Sequence, residues 1–185
     1  MFNASLATFA TYETLEPADL ERNFRANTSG LLIAAQEFAP AMVERGDGAI
    51  VVSGNTSALR GIPGFVGFAP TKASQRILVE SVARDLGSKG VHVVYVIIDA
   101  AIDMPFARRR FGEGKPDDFF AQAAVIAAEI YHFAHQPLST RTLLVQIRPF
   151  GEKWYRSSCR GKSTLALLYQ GKALRQLYIL LSELT

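Results

Sequence analysis

The stretch "GFVGFAPTKAS", Gly64 to Ser74, sets an aromatic ring four residues before an amine, on one face of what reads as the opening turn of a helix. Lys72 can donate hydrogen bonds and carry a positive charge, whereas Phe68, with no hydroxyl, can neither give nor take a proton. Just upstream, "SGNTSALRG" supplies the amide of Asn55 and the hydroxyls of Ser53, Thr56 and Ser57. The amide can donate to an oxygen, but hydroxyls of ordinary pKa are weak acids. Taken alone, Lys72 is a solvated helix lysine and Phe68 a packing residue.

Other chemistry-bearing residues form no comparable set. His92 alternates with valines, and His132 and His135 stand three apart near a helix end without a cysteine or a third ligand, so no metal site is expected. "RRR", Arg108 to Arg110, reads as a solvated loop run or as a contact for an anionic substrate or cofactor phosphate. "GKST", Gly161 to Thr164, lacks the glycine that a phosphate-binding loop needs five positions earlier, where Arg156 stands.

The elements that must position Asn55, Phe68 and Lys72 follow from periodicity. A helix is predicted over residues 17–45, with Pro17 near its first turn and Leu20, Phe24, Asn27, Leu31 and Phe38 along one stripe. "AIVVS" is a short apolar strand of the kind buried on both faces. A second helix is predicted over 69–88, with Leu78, Val82 and Leu86 on one side, then the strand "VHVVYVII". Residues 99–116 read as loop, 117–136 as a third helix opened by acidic residues that suit its positive end, and "TLLVQIR" as a third strand. Alternating helices and strands predict a parallel sheet with right-handed crossovers. Three strands and a stub at residues 1–4 make a small sheet, so one edge is expected to be bare unless upstream sequence or a partner covers it.

With 185 residues, 49% hydrophobic and 20% charged, the chain can build one globular domain with a sizeable core, or a domain plus an appendage. The formal charge of +3 is uneven: Arg156, Arg160, Lys162, Lys172 and Arg175 face only Glu183 beyond residue 154, leaving the rest near −1. That distribution argues against a nucleic-acid surface. The single Cys159 rules out an intramolecular disulfide and suits a reducing compartment. The first residues do not read as a signal peptide, and no apolar run approaches the ~20 residues of a membrane span, so no membrane partner and a cytoplasmic location are expected.

In order, Asn27, Asn55, Phe68 and Lys72 are separated by 28, 13 and 4 positions. This series resembles the active-site order of the short-chain dehydrogenase/reductase family: an Asn, a Ser about a dozen residues before a Tyr, and a Tyr-x-x-x-Lys pair around the nicotinamide of a dinucleotide. "FNAS", Phe2 to Ser5, resembles the family's Asn-Asn-Ala-Gly turn, with Asn3 at its second Asn and Ser5 at its Gly. "IIDAAIDMP" takes the place of the Pro-Gly stretch that lies against the nicotinamide, with Asp99 and Ala100 replacing Pro-Gly and Ile102 just beyond. "GNTSALRG" and "FAPTK" resemble a divergent Phe-x-x-x-Lys branch of the family.

The resemblance covers about residues 2–154 and implies an α/β fold: a three-layer Rossmann-like parallel sheet of three to four strands, incomplete because the N-terminal βαβ units and their Gly-rich loop have no counterpart. Residues 155–185 read as a basic, Leu-rich extension, helical or poorly ordered. By resemblance, Lys72 would hold the cofactor ribose, Asn27 would position a water, Asn55 would orient the substrate oxygen, and Phe68 would only shape the pocket; Asn3, Asp99, Ala100 and Ile102 would adjoin the cofactor. Asn27 could equally be a core asparagine satisfied by backbone groups. The implied activity is NAD- or NADP-dependent hydride transfer to or from a small-molecule alcohol or carbonyl, impaired here because Phe68 replaces the proton-transferring Tyr, with weak cofactor binding because the Gly-rich loop is missing. A homo-oligomer through helices 17–45 and 69–88 is also implied. Two other readings stand beside this one: a non-catalytic binding or oligomerisation module, and a truncated gene product.

Overall fold

The computed structural model describes residues 1–151; the expectations for residues 155–185 lie outside them. Helix α1 (Pro17–Phe24) opens with Pro17, whose missing N–H and fixed φ suit a first turn. It passes through a π-helical turn at Arg25–Ser29 into α2 (Gly30–Arg45), which ends on Gly46 in the left-handed conformation at φ 65°. The expected helix is therefore one continuous rod with a wider turn inside it. Its buried stripe is Asn23, Asn27, Leu31, Ala35 and Ala39, spaced by four. Phe38, expected on that stripe, is 63% exposed. It stands on the stripe's flank, where it borders an open apolar groove with Phe2, Ala35 and Met42.

Strand β1 (Gly48–Gly54) leads through a short 3₁₀ turn, Thr56–Ala58, and a loop into α3 (Ala69–Gly87). Strand β2 (Val91–Ile98) follows, then a two-residue strand β3 (Ala101–Ile102). Residues 99–116, expected as loop, instead contain helix α4 (Pro105–Phe111). Pro105 opens it, and Arg108 anchors it through ion pairs of 2.6 Å to both Asp103 and Asp117, with its guanidinium 4.2 Å above the Phe120 ring. Of the arginine run, Arg108 thus serves the fold. Strand β4 (Phe120–Ala121) pairs with β3, and Gln122 donates to Asp103. These ties hold residues 120–122 extended after a 3₁₀ turn at Asp117–Phe119, so α5 (Ala123–Ala134) begins six residues later than expected, and Asp117 and Asp118 do not lie at its positive end. Strand β5 (Leu144–Ile147) completes the described elements.

The main sheet has the order β1-β2-β5, all parallel, as the helix–strand alternation predicts. Phe2 adds the expected stub: its N–H donates to Val51, and its carbonyl accepts from Ser53. Among the described residues no strand pairs with the outer side of that stub. Along β2, Val91, Val93, Tyr95 and Ile97 face Leu31, Val52 and Val79 on one side, while Val94 and Val96 meet Val51 and Phe133 on the other. The fold is thus three layers, α2 and α3 over the sheet and α5 beneath it, which explains the nearly uninterrupted apolar strands. No helix of the described residues is long and apolar enough to cross a membrane.

At the carboxyl end of β1, Gly54 leaves the space that the Tyr95 ring occupies: a Cβ there would lie 2.2 Å from the Tyr95 hydroxyl. Gly54→Ala is expected to lower the unfolding free energy by about 1–3 kcal/mol, read as a lower urea midpoint with an unchanged slope. An unaltered midpoint would mean that Tyr95 moves aside freely.

Candidate functional site

Lys72 lies in the first turns of α3 and is only 2% exposed. Its Nζ donates to the Ser53 carbonyl at 3.3 Å and to Gln75 Oε1, three residues on along the same helix face. No ion pair among the described residues includes Lys72. An ammonium withdrawn from water without a carboxylate loses hydration that neutral acceptors only partly replace. Burial accordingly pushes the Lys72 pKa down from 10.5 to about 8.

Asn27 sits fully buried in the π turn. Its Oδ1 accepts from the Leu6 N–H at 2.8 Å, and its Nδ2 donates to the Leu6 carbonyl and to Thr71 Oγ1, each at 2.8 Å. Thr71 in turn donates to the Phe68 carbonyl. The side chain of Asn27 is therefore fully occupied in tying the segment around Leu6 to α3, and its backbone carbonyl accepts from Gln75 Nε2. Asn23, one turn earlier and equally buried, ties the Gly67 carbonyl to Thr8. Close approach at Gly67 requires a missing side chain, since a Cβ would stand 2.7 Å from the Thr8 carbonyl oxygen.

At the other end of the constellation, Ser53 Oγ donates to Asn3 Oδ1. Asn3, Ser53, Lys72, Gln75 and Asn27 thus form one connected path of hydrogen bonds across the carboxyl ends of the stub and β1. Asn55 stands outside it: its Oδ1 accepts from the Ser57 N–H at 3.0 Å, capping the 3₁₀ turn, and its Nδ2 makes no hydrogen bond within the described residues. Phe68 caps α3 with its ring buried, 5.7 Å from Phe9 and 6.4 Å from Phe65, in a three-ring cluster. Asp99 accepts from Gln146 at 2.7 Å and lies 3.6 Å from the Arg148 guanidinium, joining the ends of β2 and β5. Ala100 follows it, half-buried. Ile102 lines a groove of ≈ 570 Å³ with Asn3, Ile98, Met104 and Ile126.

Two buried members were not singled out from the sequence. Gln75 is fully buried, and Tyr95, from β2, donates its hydroxyl to Gln75 Oε1 at 3.3 Å. Burial drives the Tyr95 pKa well upward, an effect partly offset by the charge of Arg76. The signal for Gln75 was its place three residues after Lys72, on the same helix face. His92 and His135 serve as partners of backbone carbonyls, of Thr142 and Tyr131 respectively.

These residues fit the nicotinamide-ribose end of a dinucleotide. A lysine ammonium has three donors, and two are in use; Asn55 Nδ2 is uncommitted; and the groove beside Asn3 and Ile102 is apolar. For the pyrophosphate end the sequence offers no G-x-x-x-G-x-G or G-x-G-x-x-G turn.

A family model described as short chain dehydrogenase matches residues 1–108. A protein of Xanthobacter autotrophicus named inactive 2-(S)-hydroxypropyl-CoM dehydrogenase 2 is 27% identical over 111 residues, 60% of this chain and 48% of that protein. The chain therefore spans about half the length of that relative. Among solved structures, a short-chain dehydrogenase from Rhodopseudomonas palustris aligns with a TM-score of 0.64 at 27% identity, over 80% of this chain and 60% of that one. An alcohol dehydrogenase from Thermococcus sibiricus, complexed with 5-hydroxy-NADP, shares the fold with a TM-score of 0.66 at 22% identity, over 82% and 62%.

Lys72 also gives the fold a pH dependence. Between its folded pKa of about 8 and its unfolded value of 10.5, the unfolded chain binds more protons, so the fold gains stability as pH rises through that window. The full window is worth roughly 3 kcal/mol. Raising the pH from about 7.5 to about 9.5 is expected to increase the urea midpoint of the wild type relative to Lys72→Met, in which this gain is absent. Parallel pH profiles for the two chains would show that folding does not lower the Lys72 pKa.

Proposed function

Because the chain belongs to the short chain dehydrogenase family, we propose that it carries the ribose and substrate side of an oxidoreductase site in which proton transfer is impaired. The reaction class is hydride transfer between NAD or NADP and a small-molecule alcohol or carbonyl, in the cytoplasm. The observation that carries this reading is Lys72 held beneath the carboxyl end of β1 while Phe68, four residues earlier, is locked among aromatic rings.

A bound nicotinamide would supply the hydride donor or acceptor. On the protein side, the third Nζ–H of Lys72 would be the donor for a ribose hydroxyl, and Asn3, Asp99, Ala100 and Ile102 would adjoin the cofactor. Asn55 Nδ2 is the donor to the substrate oxygen, polarising it toward hydride addition. Asn27 contributes through the backbone carbonyl and side chain that hold the site together. Phe68 excludes water from the pocket and moves no proton. Loss of a positioned acid or base costs on the order of 10²–10⁴ in rate, which is the extent of impairment proposed. Without a Gly-rich turn to hold the pyrophosphate, binding of NAD or NADP is proposed to be weak.

A second reading is a non-catalytic oligomerisation module. It is favoured by the exposure of Ile33 and Phe38 on α2 and of Ile77 on α3, at 64%, 63% and 51%. A homodimer through α1–α2 and α3 would cover these side chains.

The decisive experiment titrates the 185-residue chain and its Phe68→Tyr variant with NADH and NADPH, followed by nicotinamide fluorescence and by turnover of a carbonyl panel. Saturable binding by both, with turnover raised at least about tenfold in Phe68→Tyr, is expected. No binding by folded chains, together with a dimer by light scattering, would replace the enzyme reading with the module.

A further inference from the structure

Gln75 is a fully buried amide in the middle of the path between Lys72 and Asn27. Its Oε1 accepts from Lys72 Nζ and from the Tyr95 hydroxyl, using both lone pairs, and its Nε2 donates to the Asn27 carbonyl. Tyr95 reaches Gln75 only because residue 54 has no side chain, since a Cβ there would overlap the phenol ring. The Asn27 side chain is spent on Leu6 and Thr71, so its backbone carbonyl is the group it turns toward Gln75. A primary amide neither takes nor releases a proton near neutral pH, and here it spans the whole gap between the amine and the Asn27 carbonyl.

We propose that Gln75 is the positioning residue of this site: it orients the Lys72 ammonium against the Ser53 carbonyl and separates it from Asn27. Lys72 then acts as a fixed cation with one donor left to offer, and not as a link in a proton-conducting chain. The orientation itself stands on the network alone, whereas the ligand for that last donor rests on the dinucleotide reading above. The charged or titratable groups facing this region are Tyr95 from β2 and, acting on Tyr95, Arg76 from α3; the π turn contributes Asn27 and β1 contributes Ser53, neither of which titrates.

The test uses the full chain labelled with ¹⁵N and ¹³C at lysine, with the Lys72 Nζ–Cε signal assigned by its disappearance in Lys72→Met. In the wild type the signal is expected to titrate near 8 and its ammonium protons to exchange slowly below that pH. Gln75→Glu, which places a carboxylate against the amine, should raise the midpoint by about one to three units. Gln75→Leu should lower it and accelerate proton exchange, because the ammonium loses an acceptor that the apolar side chain does not replace. If Gln75→Leu fails to give a cooperative unfolding transition, Gln75→Glu and Tyr95→Phe, which frees one lone pair of Oε1, carry the comparison. Midpoint and exchange rate unchanged in folded Gln75→Glu would overturn the proposal. A parallel NADPH titration separates the two claims. Binding in the wild type weakened about tenfold in Gln75→Leu would support both. Absent binding with the expected lysine shifts would remove the dinucleotide reading and leave Gln75 as the residue that positions Lys72.

Discussion

The region between α3 and the carboxyl ends of the strands is organised around one ammonium group buried without a carboxylate. Lys72 replaces water with the Ser53 carbonyl and the Gln75 amide. Neutral acceptors of this kind compensate a charge only in part, so each must be held where it is useful. The surrounding features follow from that constraint: Gln75 is itself held by the Asn27 carbonyl and the Tyr95 hydroxyl, and Tyr95 needs the space left at Gly54. Asn27 is fixed because its amide joins the segment around Leu6 to Thr71 on α3. A polar network of this depth is satisfied at every member or it destabilises the core around it.

The π turn belongs to the same arrangement. A wider turn departs from the regular helical ladder where the buried Asn27 reaches both the segment around Leu6 and α3. It brings Asn27 within reach of both Gln75 and Leu6. Chemistry and packing then divide between neighbouring residues on α3. Lys72 faces the polar network, while Phe68 enters an aromatic cluster with Phe9 and Phe65. The helix opening therefore sets a buried cation and a buried hydrocarbon ring four residues apart.

What the sequence by itself determined was the architecture and the order along the chain of the candidate residues. Apolar strands bounded by glycines, and helices with matching periodicity, specify a parallel three-layer sheet because only burial on both faces satisfies such strands. The order Asn27, Asn55, Phe68, Lys72 was equally legible, since their identities and spacings are local properties of the chain. Tertiary structure decided everything that depends on partners distant in sequence. It placed Phe38 on the flank of its helix, formed α4 around Arg108, and delayed α5 by tying Gln122 to Asp103. It also joined Gln75 to Asn27 and Tyr95, residues 48 and 20 positions away. Helical periodicity reports which face a residue occupies, but not which acceptor from another strand will meet it there. The state of Lys72, an ammonium held by an amide and a carbonyl, was for that reason a property of the packed fold and not of any segment of the chain.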